Sequence, residues 1–411
     1  MAQSPFSKSI DLLLTRRFGT FWFSSLLSNI GTWAQLVAQP WLLLSVGASS
    51  FLLGLDAFAM GAPVMVLTLV GGVLADRADR RRVIALFQSI QMLCPTLIVV
   101  LLLTGTVRPW VVIALSLVIG ITDALSMPSF QSIVPSIVRR EQIPAGIALN
   151  STQFNLSRIL GPAVAGLLMS GAGPVGAFAV SAASYVPFIV VALWILPRGA
   201  AAAGARSAFD AQQLVNGVRE IAREPALRGG LLTVLAMSGL SAPLVTFCPI
   251  LVRDALHGDI AQFSITVGAF GAGGLLGATG LLAVDPDRDR RPLSSWFAAA
   301  YGVVVALAAL NPWYWCLPAL FCLAGIAMTV SSAAANTLLQ SHAPTRIRGQ
   351  TVSLFMLAMR GGTALGSLVT GASVSLLGVR EALLINGVLA VVAQVALGRA
   401  WLSAPLPGPA A

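Results

Sequence analysis

Twelve apolar runs, each close to the length of one bilayer crossing, follow one another with almost nothing between them. A helix needs about 20 apolar residues to cross the hydrocarbon core, with a range of roughly 17 to 25. The runs are 18–46, 51–74, 83–104, 110–132, 143–169, 174–196, 229–252, 260–284, 293–311, 313–334, 350–377 and 381–402. In lipid the backbone must satisfy its own polar groups, and a run of this length does so as a helix. Only the gap 197–228 is long, and it leaves six runs on each side. The expected fold is an all-α membrane protein with twelve transmembrane helices. They form two pseudo-symmetric six-helix bundles, 1–196 and 229–411, joined by a linker at 197–228.

Charge supports this and sets the orientation. Charged residues make up 10% of the chain, against roughly 25% in soluble domains, so a soluble globular protein is excluded. A net charge of +10 would suit nucleic acid if it clustered on one folded face. Here the basic residues sit in short groups at the ends of apolar runs, so no nucleic-acid partner is expected. With the N-terminus placed in the cytoplasm, 20 of the 25 basic residues fall on the inner side. The outer loops hold only Arg108, Arg253 and Arg380. The positive-inside rule therefore puts both termini of a multi-pass membrane protein in the cytoplasm. No cleavable leader is expected, because Arg16-Arg17 precede a run too long for a signal sequence.

The linker carries a helical signal of its own. Phe209, Leu214, Val218 and Ile221 approximate one stripe, Asp210, Arg219, Arg223 and Glu224 lie elsewhere, and Pro225 stops the run. An amphipathic helix on the inner face is expected, as a tether between the halves or as a solvated linker. Cys94, Cys248, Cys316 and Cys322 all lie in apolar runs and read as small core residues. His257 and His342 fall in loops without metal-ligand spacing. Neither a metal nor another cofactor is expected.

An internal repeat accompanies the two sets of six. Gly161-Pro-Ala-Val-Ala-Gly166 has a counterpart in Gly366-Ser-Leu-Val-Thr-Gly371, 205 residues later with the same glycine spacing. The charged hairpin Gly71-Gly-Val-Leu-Ala-Asp76-Arg77-Ala-Asp79-Arg80-Arg81-Arg82 has a worn copy at Gly280–Asp285, followed by Arg288, Arg290 and Arg291. Parallel halves related by an axis along the membrane normal are one transporter architecture.

Polar residues inside the runs mark candidate sites. A charge at mid-bilayer costs roughly 2.5–3.5 kcal/mol on insertion scales. Asp123 and Arg158 lie at similar depths and can pair. Either Asp123 exchanges a proton with its affinity tuned by Arg158, or the two form a static ion pair. Asp56 lies near an outer end, within reach of water. Arg360, at mid-depth with no evident acidic partner, would meet an anionic substrate or a backbone carbonyl. In the first run Ser28, Thr32, Gln35 and Gln39 form one polar stripe, with Asn29 beside it. They face a cavity or another helix, and Asn150, Gln153, Asn155 and Asn336 invite the same two readings. Gly161, Pro162 and Gly166 should permit close helix approach with a bend, and Gly366 and Gly371 close packing.

The hairpin resembles that of the major facilitator superfamily, Gly-x-Leu-Ala-Asp-Arg-x-Gly-Arg-Arg. Gly72, Leu74, Ala75, Asp76, Arg77, Arg80 and Arg81 match in place, and Asp79 stands for the last glycine. Ser28-Asn-Ile-Gly-Thr-Trp33, Gly217-Val-Arg219 and Ile347-Arg-Gly-Gln350 are similar to the branch containing the enterobactin exporter and macrolide efflux proteins. Ser157, Gly161, Pro162, Ala165 and Gly166 resemble its antiporter motif, with serine and alanine for two glycines.

The resemblance implies that Asp76 faces the start of a helix in the other half, near Thr351. Together with Gly72, Arg77, Arg80 and Arg81 it would form a latch favouring the outward-open state. It also implies that the first helix lines a central cavity, making Gln35 and Gln39 substrate contacts. The function implied is export of a small organic molecule, such as a siderophore or antibiotic, by alternating access. Protons are the expected coupling ion and a monomer the expected state. Uptake or facilitated diffusion is the alternative, since fold does not decide direction. A non-transporting sensor would normally append a soluble domain. An enzyme is not expected: no zinc pair, catalytic dyad or phosphate-binding loop is present.

Overall fold

The computed structural model describes residues 11–196, 211–285, 289–344 and 347–402. Among these every regular element is helical. The first six long elements are α1 (Arg16–Ser45), α2 (Ser50–Arg77), α3 (Arg80–Leu103), α4 (Pro109–Ile137), α5 (143–172) and α6 (174–194). Helices α5 and α6 run as one stretch, Ile143–Trp194, interrupted at Gly173 with φ 65° and ψ −166°. A side chain would be strained there, so glycine makes the turn possible. The remainder are α7 (Ala211–Arg223), α8 (Pro225–Leu240), α9 (Ile260–Leu282), α10 (Arg290–Leu310), α11 (Leu317–His342), α12 (Arg348–Leu377) and α13 (Val379–Leu402). Gly378, with φ 97°, separates the last two in a single residue.

Ten helical spans among the described residues are long and apolar enough to cross a membrane. The expected first and fifth spans, now α1 and α5, are not among the ten. In α1 the stripe of Ser28, Asn29, Thr32, Gln35 and Gln39 lowers the hydropathy. The lipid-facing surface shows the inverse of a soluble protein. Along α3, Leu86, Leu93, Leu97 and Val100 are exposed, while Gln88, Gln91 and Cys94 are buried. Apolar atoms out and amides in is the arrangement that a hydrocarbon solvent selects.

One expected span proves discontinuous. The run 229–252 begins earlier, at Pro225, and α8 stops at Leu240. Pro243 has no N–H to give the carbonyl of Gly239, so that bond of the ladder is missing where the helix breaks. The chain proceeds through two short turns, Pro243–Thr246 and Cys248–Ile250, into a π-helical segment, Leu251–Ala255. The linker helix is present as α7. Its Ile221 is buried with Leu227, Val234, Leu339, Ile347 and Phe355, whereas Val218 is exposed. Phe209 and the side chain of Leu214 lie outside the described residues. Cys94 and Cys248 are buried as expected, but Cys316 is exposed, in the turn before α11.

Contacts group the chain into two compact units. One is Met1–Gly47 with Pro63–Arg206, the other Ala48–Ala62 with Ser207–Ala411. In the first, α1 lies against both α5 and α6, and α3 packs on α4 and the α5–α6 stretch. Phe21, Phe130 and Phe188 fill its interior, the last two stacked with centroids 5.0 Å apart. In the second, α8 packs on α11, α12 and α13, α9 on α11, and α10 on α11 and α13. Residues 48–62 join this unit because Gly54 lies against Ser367 and Gly371 of α12, and Gly61 against Ala364.

Candidate functional site

The polar stripe of α1 is the centre of a hydrogen-bonded seam inside the first unit. Ser25 Oγ donates to Gln153 Oε1 of α5 at 3.4 Å, and Gln153 Nε2 to Ser157 Oγ at 3.4 Å. Ser28 Oγ donates to Gln88 Oε1 of α3 at 3.4 Å, and Gln88 Nε2 to Gln91 Oε1 at 3.2 Å. Thr32 Oγ1 meets Tyr185 OH of α6 at 3.0 Å. Ser181 Oγ, also of α6, donates to Gln35 Oε1 at 3.0 Å, and Gln35 Nε2 to Gln39 Oε1 at 3.4 Å. Gln39 Nε2 reaches Ser116 Oγ of α4 at 2.6 Å. One face of α1 is thus bonded to α3, α4, α5 and α6.

Burial sorts the candidates named from sequence. Gln35, Gln39 and Gln153 are 4%, 2% and 2% exposed, enclosed in the unit with partners for their amides. A buried amide without a partner would be costly, and these partners remove that cost. Asn29, Asp123, Asn150, Asn336 and Arg360 are half-buried. Asn29 Nδ2 donates to the Ser25 carbonyl at 3.0 Å, and Asn336 Oδ1 accepts from Gln340 Nε2 at 3.0 Å. Asp123 of α4 lies within electrostatic range of Tyr185, a member of the seam. Asp56 is buried, 5% exposed, although its sequence position put water within reach. The side chains of Gly72, Asp76, Arg77, Asn155, Arg158 and Pro162 lie outside the described residues, as do the expected Asp123–Arg158 pair and the Asp76 latch. Thr351 is fully buried.

The repeated glycines occupy matching crossings. Gly161 of α5 lies against Trp33 and Ala34 of α1, and Gly366 of α12 against Gly239 of α8. In each unit the fifth spanning helix thus crosses the first at the glycine that the repeat picks out. The second unit has smaller polar contacts. Asn386 Nδ2 donates to Thr370 Oγ1 at 2.7 Å, Thr246 Oγ1 meets Ser367 Oγ at 3.3 Å, and Gln394 Nε2 reaches the Thr233 carbonyl at 3.0 Å.

Sequence reading missed Gln88, Gln91, Ser116, Ser181 and Tyr185. Gln88 and Gln91, one turn apart in an apolar run, were the signal available. Among the described residues no group of His, Cys, Asp or Glu is placed to hold a metal ion.

Residues 7–405 match the family model described as transmembrane secretion effector. The multidrug efflux pump Tap of Mycolicibacterium fortuitum is 27% identical over 365 residues, covering 85% of this chain and 87% of that protein. The enterobactin exporter EntS of Shigella boydii serotype 4 (strain Sb227) is 27% identical over 351 residues, covering 82% and 80%. The nucleoside transporter NupG superposes with a TM-score of 0.74 at 14% identity, over 95% of this chain and 100% of that one. A bacterial homolog of the human lysosomal transporter Spinster, inward-facing and occupied, gives 0.73 at 16% identity, over 95% and 98%. The two solved structures speak to the fold alone. The family match spans nearly the whole chain, and the chain belongs to the transmembrane secretion effector family of the major facilitator superfamily, a family of multi-pass membrane transporters and not of enzymes.

Proposed function

We propose that this transporter exports a small organic molecule, a siderophore, antibiotic or other drug-like compound, in exchange for protons, with both termini cytoplasmic. The supporting observation is its similarity to an efflux pump and a siderophore exporter across more than four-fifths of the chain. Asp123 is the proposed proton carrier, because a half-buried carboxylate beside a hydroxyl-rich seam can gain or lose a proton as hydration changes. Arg158 would tune its affinity. Asp76 is the proposed latch, with Thr351 at the start of the helix that it would face. The division into bundles 1–196 and 229–411 around a linker at 197–228 belongs to the same proposal, as does a monomeric state.

The test uses inside-out vesicles loaded with the transporter, a pH gradient of each sign, and a panel of siderophores and antibiotics. Export coupled to protons predicts substrate accumulation with the lumen acidic and none with the gradient reversed. Substrate movement that responds to neither gradient would favour a facilitator or an uptake carrier instead. Asp123→Asn should abolish gradient-driven accumulation. Asp76→Asn should suppress transport while leaving membrane insertion intact.

A further inference from the structure

The charged hairpin before α3 has a structural counterpart before α10. Asp79 accepts the backbone N–H of Arg81 at 3.1 Å and so caps α3. The Arg81 side chain, 11% exposed and 4.0 Å from Asp79 Oδ2, turns inward. Its Nη1 donates at 2.7 Å to the carbonyl of Leu193, in the last turn of α6. Asp289 likewise accepts the N–H of Arg291 at 2.9 Å and caps α10. Arg291 is bound to that carboxylate through Nε at 3.1–3.2 Å and Nη2 at 3.1 Å. Its Nη1 donates at 3.2 Å to the carbonyl of Trp401, in the last turn of α13. In both units the arginine follows the acid by two residues, and the acceptor lies at the end of the unit's final spanning helix.

Helix ends explain the attraction. The last four carbonyls of a helix lack intrahelical partners, and the negative end of the dipole favours a cation. A guanidinium withdrawn from water needs such partners. We propose that Arg81 and Arg291 are a repeated pair of clamps. Each fixes the C-terminal turn of its unit's last helix to the start of the third spanning helix, so that hairpin and helix end move as one body. The second clamp is reinforced, because Trp401 Nε1 donates to Ser295 Oγ at 2.8 Å and the indole lies against Gly229. The proposal is independent of cargo, transport direction and coupling ion.

Arg82 supplies the control. It carries the same charge in the same hairpin, but its side chain is 80% exposed and lies 3.9 Å from Asp79. Amide hydrogen exchange of the full-length protein in detergent reads local opening of helix ends directly. Arg81→Gln should speed exchange about tenfold or more over 190–196 and leave 396–402 unchanged. Arg291→Gln should do the reverse, and Arg82→Gln should alter neither. Arg81→Lys and Arg291→Lys retain a cation and a donor, and should recover part of the protection. The clamp is refuted if Arg81→Gln and Arg82→Gln exchange alike over 190–196. It is also refuted if neither Arg291 variant changes 396–402, which decides the matter even should Arg81→Gln fail to insert.

Discussion

The carbonyl of Gly239 lies directly against the backbone of Gly366, leaving no room for a methyl group between α8 and α12. Inserted carbons in such a crossing force the backbones apart, typically at a cost of about 1–3 kcal/mol. Gly366→Val should therefore lower the melting temperature in detergent and impair transport. Among the described residues nothing lies within 4 Å of the place a methyl on Gly268 of α9 would take. Gly268→Ala should be neutral or stabilising by about 0.5–1 kcal/mol. Equal melting temperatures for the two variants would show that the crossing tolerates expansion.

Gln39 is enclosed, and its amide is shared between Ser116 and Gln35. Interhelical hydrogen bonds in membranes average about 0.6 kcal/mol and reach about 1.7. Gln39→Leu should lose stability in that range while the set of transported compounds stays the same. A changed substrate profile with unchanged stability would instead place Gln39 on the cavity surface.

Asp289 titrates with the second clamp. Burial pushes its carboxyl up, but the side-chain and backbone hydrogen bonds from Arg291, together with nearby positive charge, bring it below its ordinary value of 3.8. Arg291 and His342 add favourable charge. A carboxylate depressed on folding contributes stability that is full above the unfolded value and lost as pH falls through the folded one. Melting temperature should therefore hold from pH 7 to about 4 and fall further below it, whereas Asp289→Asn should flatten the acid limb. An identical acid limb in the variant would remove Asp289 from the account.

Much of this architecture is legible in the sequence, because a membrane allows a long apolar run few alternatives to a helix. The glycine repeat was readable for the same reason: close crossings need small residues at fixed spacing. Its partners were not, since spacing along one helix does not say which neighbour lies opposite. Gln35 and Gln39 stood out as a stripe, but Ser181 and Ser116 became visible only as their partners in space. The register of the second hairpin also escaped. Sequence alignment sets Asp76 against Asp285, whereas the caps pair Asp79 with Asp289. The break in α8 was hidden because Pro243 lies within an apolar run, where proline changes the backbone without changing hydropathy.

Arg380 is one of three basic residues in the loops expected outside, where arginine is disfavoured, and its contacts give it a structural role. Nη1 donates to the Ala309 carbonyl at 3.3 Å and Nη2 to the Ala255 carbonyl at 3.4 Å. These are the last turn of α10 and the end of the π-helical segment that follows the break in α8. One guanidinium thus staples two helix ends to the start of α13, and a charged donor to such carbonyls is worth about 1.5–3 kcal/mol when buried, less where water reaches it. Arg253 offers the comparison, being exposed and paired with its exposed neighbour Asp254 at 3.8 Å. Arg380→Gln should lower the melting temperature by several degrees and loosen 250–256, read as faster amide exchange. Arg253→Gln should change neither. If the two variants behave alike, Arg380 does not staple these ends, and its place at the start of α13 is without structural consequence.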